Sequence, residues 1–486
     1  MAIAIFAQEA SDCKTSAPKT TSPSLWSICW EVLILLRPAF SYTSTFMWFA
    51  VAVAGFLARK DTLGGVSSIV RALGLRGSVY RSLLKFFHSS AVRLDELSAL
   101  WTLVVLRLFQ NPVRVNGRLV LVGDGIKTTK FGKKMPAAKR LHQQSAHKPE
   151  YTMGHSLQAI GLLVNAAQNT LAVPLAIRIH EGIVRTNRAK KTLCHKMLDL
   201  LETAYQGASY YFVGDRFYAA KTIARGLLER GNHLITRVKI NAVACALPDP
   251  PTEKKRGRRR KYGKTITLRT LFKSKKLIEA PSPVYGEKDV MLRYLVVDLL
   301  WRPLQRLVRF VIVVHPTRGR WILMSTDTTI DALAIICTYG LRFKIEMTFK
   351  QAVHRMGWFL YRFWMKAMTP LPQWSGDQYL HRKSAKYRAS VDRKIHAYHV
   401  FMQACVIAHG ISQYLAVAFP ELVWTSFHSW LRTTRAGTPP SEFVVTEALR
   451  QSLPNFLVAG RNTHAFTKFI IERQDTEKTE VFCMAT

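Results

Sequence analysis

Acidic residues are scarce in this chain of 486 residues. Asp and Glu number 31 against 70 Lys and Arg, a formal net charge of +39. A field of that size draws polyanions in, at a cost in self-repulsion. Nucleic acid is therefore the first partner to consider, and an anionic membrane surface the second. Cysteine is sparse too: seven are scattered far apart, with no Cys-x-x-Cys pair. That argues against a zinc ribbon and suits a reduced cytosol better than a disulfide scaffold. Long apolar runs are missing. Phe46 to Ala58 is apolar for 13 residues, short of the ~20 that span a bilayer. The run from Val400 to Phe419 is broken by Gln403, His409 and Gln413. No basic stretch at the N-terminus leads directly into an apolar core and a cleavage site, so neither a membrane span nor a signal peptide is expected. A Gly-rich nucleotide loop and a Ser-centred elbow are both absent, which argues against nucleotide-hydrolase and serine-hydrolase chemistry.

The bulk composition is that of a globular protein, with 48% apolar residues, 26 Gly and 20 Pro. No internal repeat is visible. Residues 1–112 read as helical after a Ser/Thr/Pro/Lys-rich start. Within them, Val66, Ile69, Val70 and Leu73, then Val79, Leu83, Leu84 and Phe87, keep helical spacing on either side of Gly74 and Gly77. Two short helices with Arg81, Lys85 and His88 beside the second fit a helix-turn-helix DNA reader, or an ordinary helical hairpin. Residues 113–240 read as a mixed α/β domain. Strands are expected at Gly117–Asp124, Tyr151–Asn165, Leu171–His180, Ser209–Arg216 and Asn232–Val238, with helices at Arg188–Leu201 and Phe217–Glu229. Residues 241–327 read as a β-rich basic insertion. It opens with Pro248, Pro250, Pro251 and the run Lys254–Lys264, and ends in a hairpin around Thr317–Arg320. Residues 328–366 should carry one helix from Ile330 to Val353 or Arg355, started by Thr328–Asp331 as a capping box. Residues 367–486 are again mostly helical.

Two carboxylates are placed alike. Asp124 in LVGDG and Asp215 in FVGDR each close a short apolar run. Strand ends are where open α/β sheets put ligands. On adjacent strands the two carboxylates would meet and repel, and a hard divalent cation such as Mg²⁺ resolves that repulsion. The alternative is that each Asp caps the turn that follows it. A third element is YGLRFKIEMTFK, in which Tyr339, Arg342, Glu346 and Lys350 form one stripe on a helix. That stripe is either a solvated face of i,i+4 pairs or the bearer of a third metal ligand, Glu346.

These motifs together resemble the DDE transposases of bacterial insertion sequences, which have an RNase H-like catalytic domain. The first Asp matches Asp124 in VLVGDGIKTTKFGKKMP, followed by RLHQQSAHKPEYTMGHS (Arg140–Ser156); the second matches Asp215 in YYFVGDRFY. One large branch has the signature Tyr, two residues, Arg, three residues, Glu, six residues, Lys. Tyr339, Arg342 and Glu346 fit it, while Val353 stands at the Lys position and Lys350 lies one turn earlier. The resemblance covers roughly 115–366, with the N-terminal helices in the place of the family's end-binding domain.

The resemblance implies an α/β, RNase H-like fold with a β-rich insertion, flanked by helical regions. It implies a catalytic and metal-binding triad of Asp124, Asp215 and Glu346. Two Mg²⁺ ions, with Mn²⁺ as a substitute, would serve water attack at the element end and then 3′-hydroxyl attack on target DNA. Tyr339, Arg342 and Lys350 would contact DNA. So would Lys127, Lys130, Lys133 and Lys134 past the first Asp, and Arg256, Arg258 and Arg259 in a loop that either tracks a groove or is a non-specific phosphate clamp or a solvated loop. Arg140, Arg355, Arg362 and Lys366 extend this basic surface. Trp358 and Trp364 are either base-stacking platforms or core. Asp327 reads as part of a helix cap, Glu181 as a reserve ligand, and His142, His147 and His155 as ordinary hydrogen-bonding groups. The expected partners are double-stranded DNA and a second copy of the chain, with no membrane, in the cytoplasm at the nucleoid. Two competing functions remain: a catalytically inactive DNA-binding remnant of a transposase, and an RNase H-like nuclease.

Overall fold

Two runs that contain Val-Gly-Asp lie side by side as parallel strands, and the rest of the sheet is built outward from them. The computed structural model describes residues 24–60, 64–143, 149–166, 169–188, 191–248, 260–284, 286–287, 289–429, 438–461 and 464–475. Arg256, Arg258, Arg259 and His147 lie outside the described residues.

The described chain starts with helices α1 (Leu25–Ile34), α2 (Thr43–Ala58), α3 (Val66–Ala72), α4 (Val79–Phe87) and α5 (Leu94–Leu108). Helix α4 turns Val79, Leu83, Phe86 and Phe87 inward and leaves Arg81 and Lys85 exposed. Strands β1 (Arg114–Val115) and β2 (Arg118–Thr129) follow as a hairpin whose two-residue turn is Asn116-Gly117. Both turn residues have positive φ, 45° and 75°, which is the backbone that an Asn-Gly pair supplies at low cost. Then come β3 (Lys139–His142), β4 (Tyr151–Ala166), β5 (Asn169–Ile179), β6 (Ile183–Val184), α6 (Leu193–Ala204), β7 (Tyr210–Gly214), α7 (Lys221–Leu228) and β8 (His233–Val238).

The central order is β5–β4–β2–β7–β8. The β5/β4 and β4/β2 pairs are antiparallel; β2/β7 and β7/β8 are parallel. This is an RNase H-like mixed sheet. Leu119 to Gly123 of β2 are all buried, because helices cover both faces of the central strands.

The segment read as an insertion does not form a layer of its own. Its strands β9 (Val243–Cys245), β10 (Thr265–Thr267), β11 (Ile278–Pro281), β12 (Met291–Trp301), β13 (Arg306–His315) and β14 (Gly319–Ser325) continue the same sheet. The join is β14, which pairs antiparallel with the edge of β8. Pairing there uses an edge that would otherwise present unsatisfied backbone groups.

The helix expected over 330–355 is in fact two, α8 (Ala332–Leu341) and α9 (Phe343–Gln351), followed by a π-helical turn at Ala352–Met356. The capping box at Thr328–Asp331 does not form. Asp331 is itself the cap, accepting from the backbone N–H groups of Leu333 and Ala334 at 2.8 and 3.2 Å. Beyond a two-residue strand β15 (Gln378–Tyr379) lie α10 (Ala385–Ala418), α11 (Pro420–Thr425), α12 (Glu442–Ala459) and α13 (Ala465–Ile471). Helix α10 packs on β5 and against α2, α5 and α12, which ties the N-terminal helices to the sheet. It is long and apolar enough to cross a membrane by length and composition, with 89% of its most apolar window buried inside the protein. Its polar interruptions have partners in the sheet. Gln403 donates to the Leu175 carbonyl at 2.9 Å and accepts from Arg178 and Ser98, both at 3.2 Å.

Candidate active site

Strand β2 does not stop at Asp124, as the sequence suggested. It stays paired with the long strand β4 as far as Thr129. Its parallel neighbour β7 is the strand that stops, after Val122 has paired with Val213. Asp124 therefore lies just past the last parallel partner, beside the end of β7, where Asp215 follows Gly214. Asp215 caps the short 3-10 turn Arg216–Tyr218, accepting from the Phe217 N–H at 2.9 Å. The two glycines that precede the acids serve packing. A Cβ on Gly123 would come within 2.5 Å of the Phe212 ring, and one on Gly214 within 2.6 Å of the Tyr218 ring.

Helices α8 and α9 bring the third acid. Helix α8 packs on β13, β14, β8 and β7, and α9 on β5, β4 and β2. The chain changes helix at Arg342, and this break aims the guanidinium at the sheet. Arg342 donates from Nη1 to Asp124 Oδ2 at 2.9 Å and from Nη2 to Glu346 Oε1 at 2.6 Å. Burial pushes the Asp124 carboxyl up to about 6; Arg342 pulls it back, while Asp215 and Glu346 push it further. Burial also raises Asp215, against the Phe217 hydrogen bond and the Arg342 charge. Burial works against the charge on Arg342, but Asp124, Tyr339 and Glu346 outweigh it and hold that group protonated. Tyr339 is half-buried, and burial raises its hydroxyl.

Asp124, Asp215 and Glu346 thus share one electrostatic neighbourhood. Among the described residues, no three His, Cys, Asp or Glu side chains stand close enough together to hold a metal ion. The donor set nevertheless suits a hard divalent cation. All three are carboxylates, and their mutual repulsion is what such a cation removes. In this structure the positive charge between Asp124 and Glu346 is the guanidinium.

Sequence reasoning missed a polar chain beside the acids. His180 Nδ1 donates to Gln158 Oε1 at 2.6 Å, and Gln158 Nε2 donates to the Tyr218 hydroxyl at 2.8 Å. The charge on Asp124 adds to the burial that raises the Tyr218 hydroxyl. The available signals were the position of Tyr218, three residues past Asp215, and a lone Gln in an apolar strand.

The remaining residues divide. Lys133 and Lys350 are exposed. Lys134 is half-buried and donates to the Lys366 carbonyl at 3.3 Å. Lys127 is exposed, but strand alternation turns it to the face opposite Asp124, where it donates to the His142 carbonyl at 2.5 Å. Lys130 is not a surface contact. It is 7% exposed, donates to the carbonyls of Phe359 and Tyr361, and lies 3.5 Å from the Tyr361 ring centroid. Trp358 is fully buried, whereas Trp364 is 54% exposed. Val353 is exposed.

Asp327 lies at the opposite end of the central strands from Asp124 and Asp215. It accepts from the Tyr211 hydroxyl at 2.5 Å, from Thr329 Oγ1 at 2.7 Å and from Arg118 at 3.3 Å, all near the starts of β2 and β7. Glu181 pairs with Lys139 at 3.6 Å. His155 is buried between the Tyr361 hydroxyl at 2.6 Å and the Pro136 carbonyl at 2.9 Å. His142 is exposed and meets the Tyr151 ring edge-on.

A cryo-EM structure of the piggyBac transposase synaptic complex with hairpin DNA is similar at 11% identity and a TM-score of 0.34, over 96% of this chain and 79% of that one. No curated protein matches. The sequence model of the family described as DDE superfamily endonuclease matches residues 36–289. That range holds Asp124 and Asp215 and ends before Glu346. Endonucleases of this superfamily generally use divalent metal ions. The match spans just over half of the chain, and the chain belongs to the DDE superfamily of endonucleases.

Proposed function

We propose that this endonuclease is a transposase of the bacterial insertion-sequence type, in the Tyr-Arg-Glu-Lys branch. It cuts DNA at element ends and joins the freed 3′-hydroxyl to target DNA. One observation carries the reading: Asp124 on β2 lies beside the end of the adjacent parallel strand β7, where Asp215 follows, and more than a hundred residues later Arg342 bonds both Asp124 and Glu346.

Asp124, Asp215 and Glu346 are the residues that would hold two Mg²⁺ ions, with Mn²⁺ as a substitute, to activate the attacking oxygen and stabilise the leaving 3′-oxygen. Asp124 must lose its proton to serve, and burial holds that proton up to about pH 6, so metal uptake should weaken as the pH falls through that value. Arg342 stays charged and offers a planar fork that suits a phosphate as well as a carboxylate. Its place between two acids lets it pass to the phosphate next to the scissile one. Tyr339 lies within reach of Arg342 and orients it. Lys350 on α9 and Lys133 past β2 are exposed cations for the flanking backbone. The expected working form is a homodimer on DNA, since two element ends are brought together, at the nucleoid in the cytoplasm.

A specific observation favours a second reading, that of a catalytically inactive DNA-binding copy. Glu346 is tied to Arg342, and the branch's Lys position is Val353, an exposed apolar residue. One assay separates the two. Linear DNA carrying the element's own ends is incubated with Mg²⁺ and then Mn²⁺, with wild type and Glu346→Gln. Boundary cuts with a free 3′-hydroxyl, lost in the variant, support the enzyme. Specific binding without cutting in either metal supports the inactive copy.

A further inference from the structure

Beyond the acids, β2 runs into a loop whose tip is Phe131. This ring is 93% exposed, more than any other large apolar side chain among the described residues. The loop beneath it is firmly held. The Lys130 ammonium is buried against the Phe359 and Tyr361 carbonyls, the Lys133 carbonyl accepts from Leu371 N–H at 2.6 Å, and the Lys134 carbonyl accepts from Met365 N–H at 2.9 Å. The segment bonded to it, Tyr361–Lys366, alternates strictly. Tyr361, Phe363 and Met365 are buried, while Arg362, Trp364 and Lys366 are exposed. Trp364 lies over Gly132, where a Cβ would come within 2.9 Å of its ring. Two exposed aromatic rings on a rigid mount are thus set among Lys133, Arg362 and Lys366, and neither segment contains an acid.

Exposed apolar surface with a basic surround marks an interaction site. A paired duplex shows a protein its phosphates and base edges; a ring standing clear of the surface needs the face of a base, which only an unstacked or unpaired base offers. We propose that Phe131 and Trp364 are a stacking platform for unpaired bases of a DNA strand, with Lys133, Arg362 and Lys366 on its backbone. The inference rests on the transposase reading for its choice of DNA. The platform is distinct from the catalytic acids: at ~3.4 Å per residue, Thr129 is already about 17 Å along β2 from Asp124, or about five base steps. It would therefore engage DNA well away from the scissile phosphate, at a site opened by bending or fraying. An anionic membrane is the other surface that a basic, aromatic patch can meet.

The test is fluorescence anisotropy in EDTA with full-length protein. The probes are a single-stranded oligonucleotide, the same strand fully paired, and the pair with a short central mismatch; phosphatidylglycerol vesicles are read by co-sedimentation. Phe131→Ala and Trp364→Ala should each weaken binding to the single strand and to the mismatch by about tenfold. Both should leave the paired duplex within about twofold, and Phe131→Trp should restore the loss. Thermal melts should match wild type, since both side chains are exposed. Equal affinities for wild type and the alanine variants, or equal losses on all three DNAs, would overturn the platform while leaving the transposase reading intact. A loss confined to vesicles would reassign the patch to a membrane. Wild type that binds none of the three DNAs would overturn the transposase reading and the platform with it.

Discussion

Arg342 and Asp124 are 218 residues apart in sequence, and Nη1 of the first donates to Oδ2 of the second at 2.9 Å. The same guanidinium holds Glu346 at 2.6 Å. A single fixed cation therefore does for two of the three acids what a divalent ion does elsewhere: it screens carboxylates that would otherwise repel. It also competes for their oxygens. A ligand that draws Arg342 away, such as a DNA phosphate, frees both acids at once, so DNA and metal should bind with positive coupling.

The first prediction tests that competition. Arg342→Gln should bind Mn²⁺ about tenfold more tightly than wild type without DNA, the equivalent of one partly buried ion pair. Titration followed by electron paramagnetic resonance, above about pH 7 so that Asp124 is ionised, reads it directly. DNA should strengthen Mn²⁺ binding to wild type and do little for the variant. Weaker Mn²⁺ binding by the variant would show that Arg342 orients the acids rather than competing for them.

Asp124 sets up an opposition between function and stability. Its folded pKa is raised, chiefly by burial, to about 6. The folded state thus holds the proton more tightly than the unfolded chain. Stability is full below the unfolded value of about 3.9 and falls as pH rises towards 6. At pH 8 the ionised carboxylate destabilises the fold. Asp124→Asn should abolish cleavage, spare DNA binding and raise the melting temperature at pH 8, with the gain vanishing near pH 4. A lower melting temperature at pH 8 would mean that the ion pair with Arg342 outweighs the burial.

Lys130 and Lys133 differ in a way that salt dependence can read. Each Lys that neutralises a phosphate adds about one unit to the slope of log K against log salt. Lys133→Ala should lower that slope by about one, and Lys130→Met should leave it unchanged. Lys130→Met should alter the pH dependence of melting instead. Burial lowers the Lys130 pKa to about 7, so the folded state releases its proton earlier than the unfolded chain does. Wild-type stability should therefore rise between about pH 7 and pH 10. The variant should lose that rise.

These two lysines also show where reading a sequence stops. KTTKFGKK presents them alike, and only the tertiary contact with residues 359–361 buries one of them. Lys127 was legible in principle: had β2 been followed to Thr129, the two-residue period would have turned it away from Asp124. The strands of the sheet were legible because apolar runs bounded by Gly, Pro and Asp announce them. The Asn116-Gly117 hairpin carried an explicit turn signal and went unread. The break between α8 and α9 had no such signal. Gly340 stands two residues before Arg342, but it lies within α8 and has no positive φ, so it does not force the break; the bend is fixed by packing on two parts of the sheet and by the guanidinium reaching Asp124. The order of the strands, and hence the meeting of Asp124 with Asp215, is likewise a long-range outcome that no local pattern states.

The repeated Val-Gly-Asp leads to the last prediction. The two glycines have no unusual φ, so backbone freedom is not what they supply. Each makes room for a ring: Phe212 against Gly123, Tyr218 against Gly214. Both rings are fully buried and cannot swing into solvent. Gly214→Ala should therefore displace Tyr218, and with it the 3-10 turn that Asp215 caps. Overpacking of this kind costs about 1–3 kcal/mol, and cleavage should fall while DNA binding persists. Gly123→Ala should cost a similar amount by pushing Phe212 and the Met197 methyl, which lies 3.3 Å from the new Cβ. Gly123→Ala combined with Phe212→Leu should recover part of that stability, because the smaller side chain vacates the space. Chemical denaturation of the two single variants and the double variant measures this, and strictly additive losses would show that the glycine is not there for the ring.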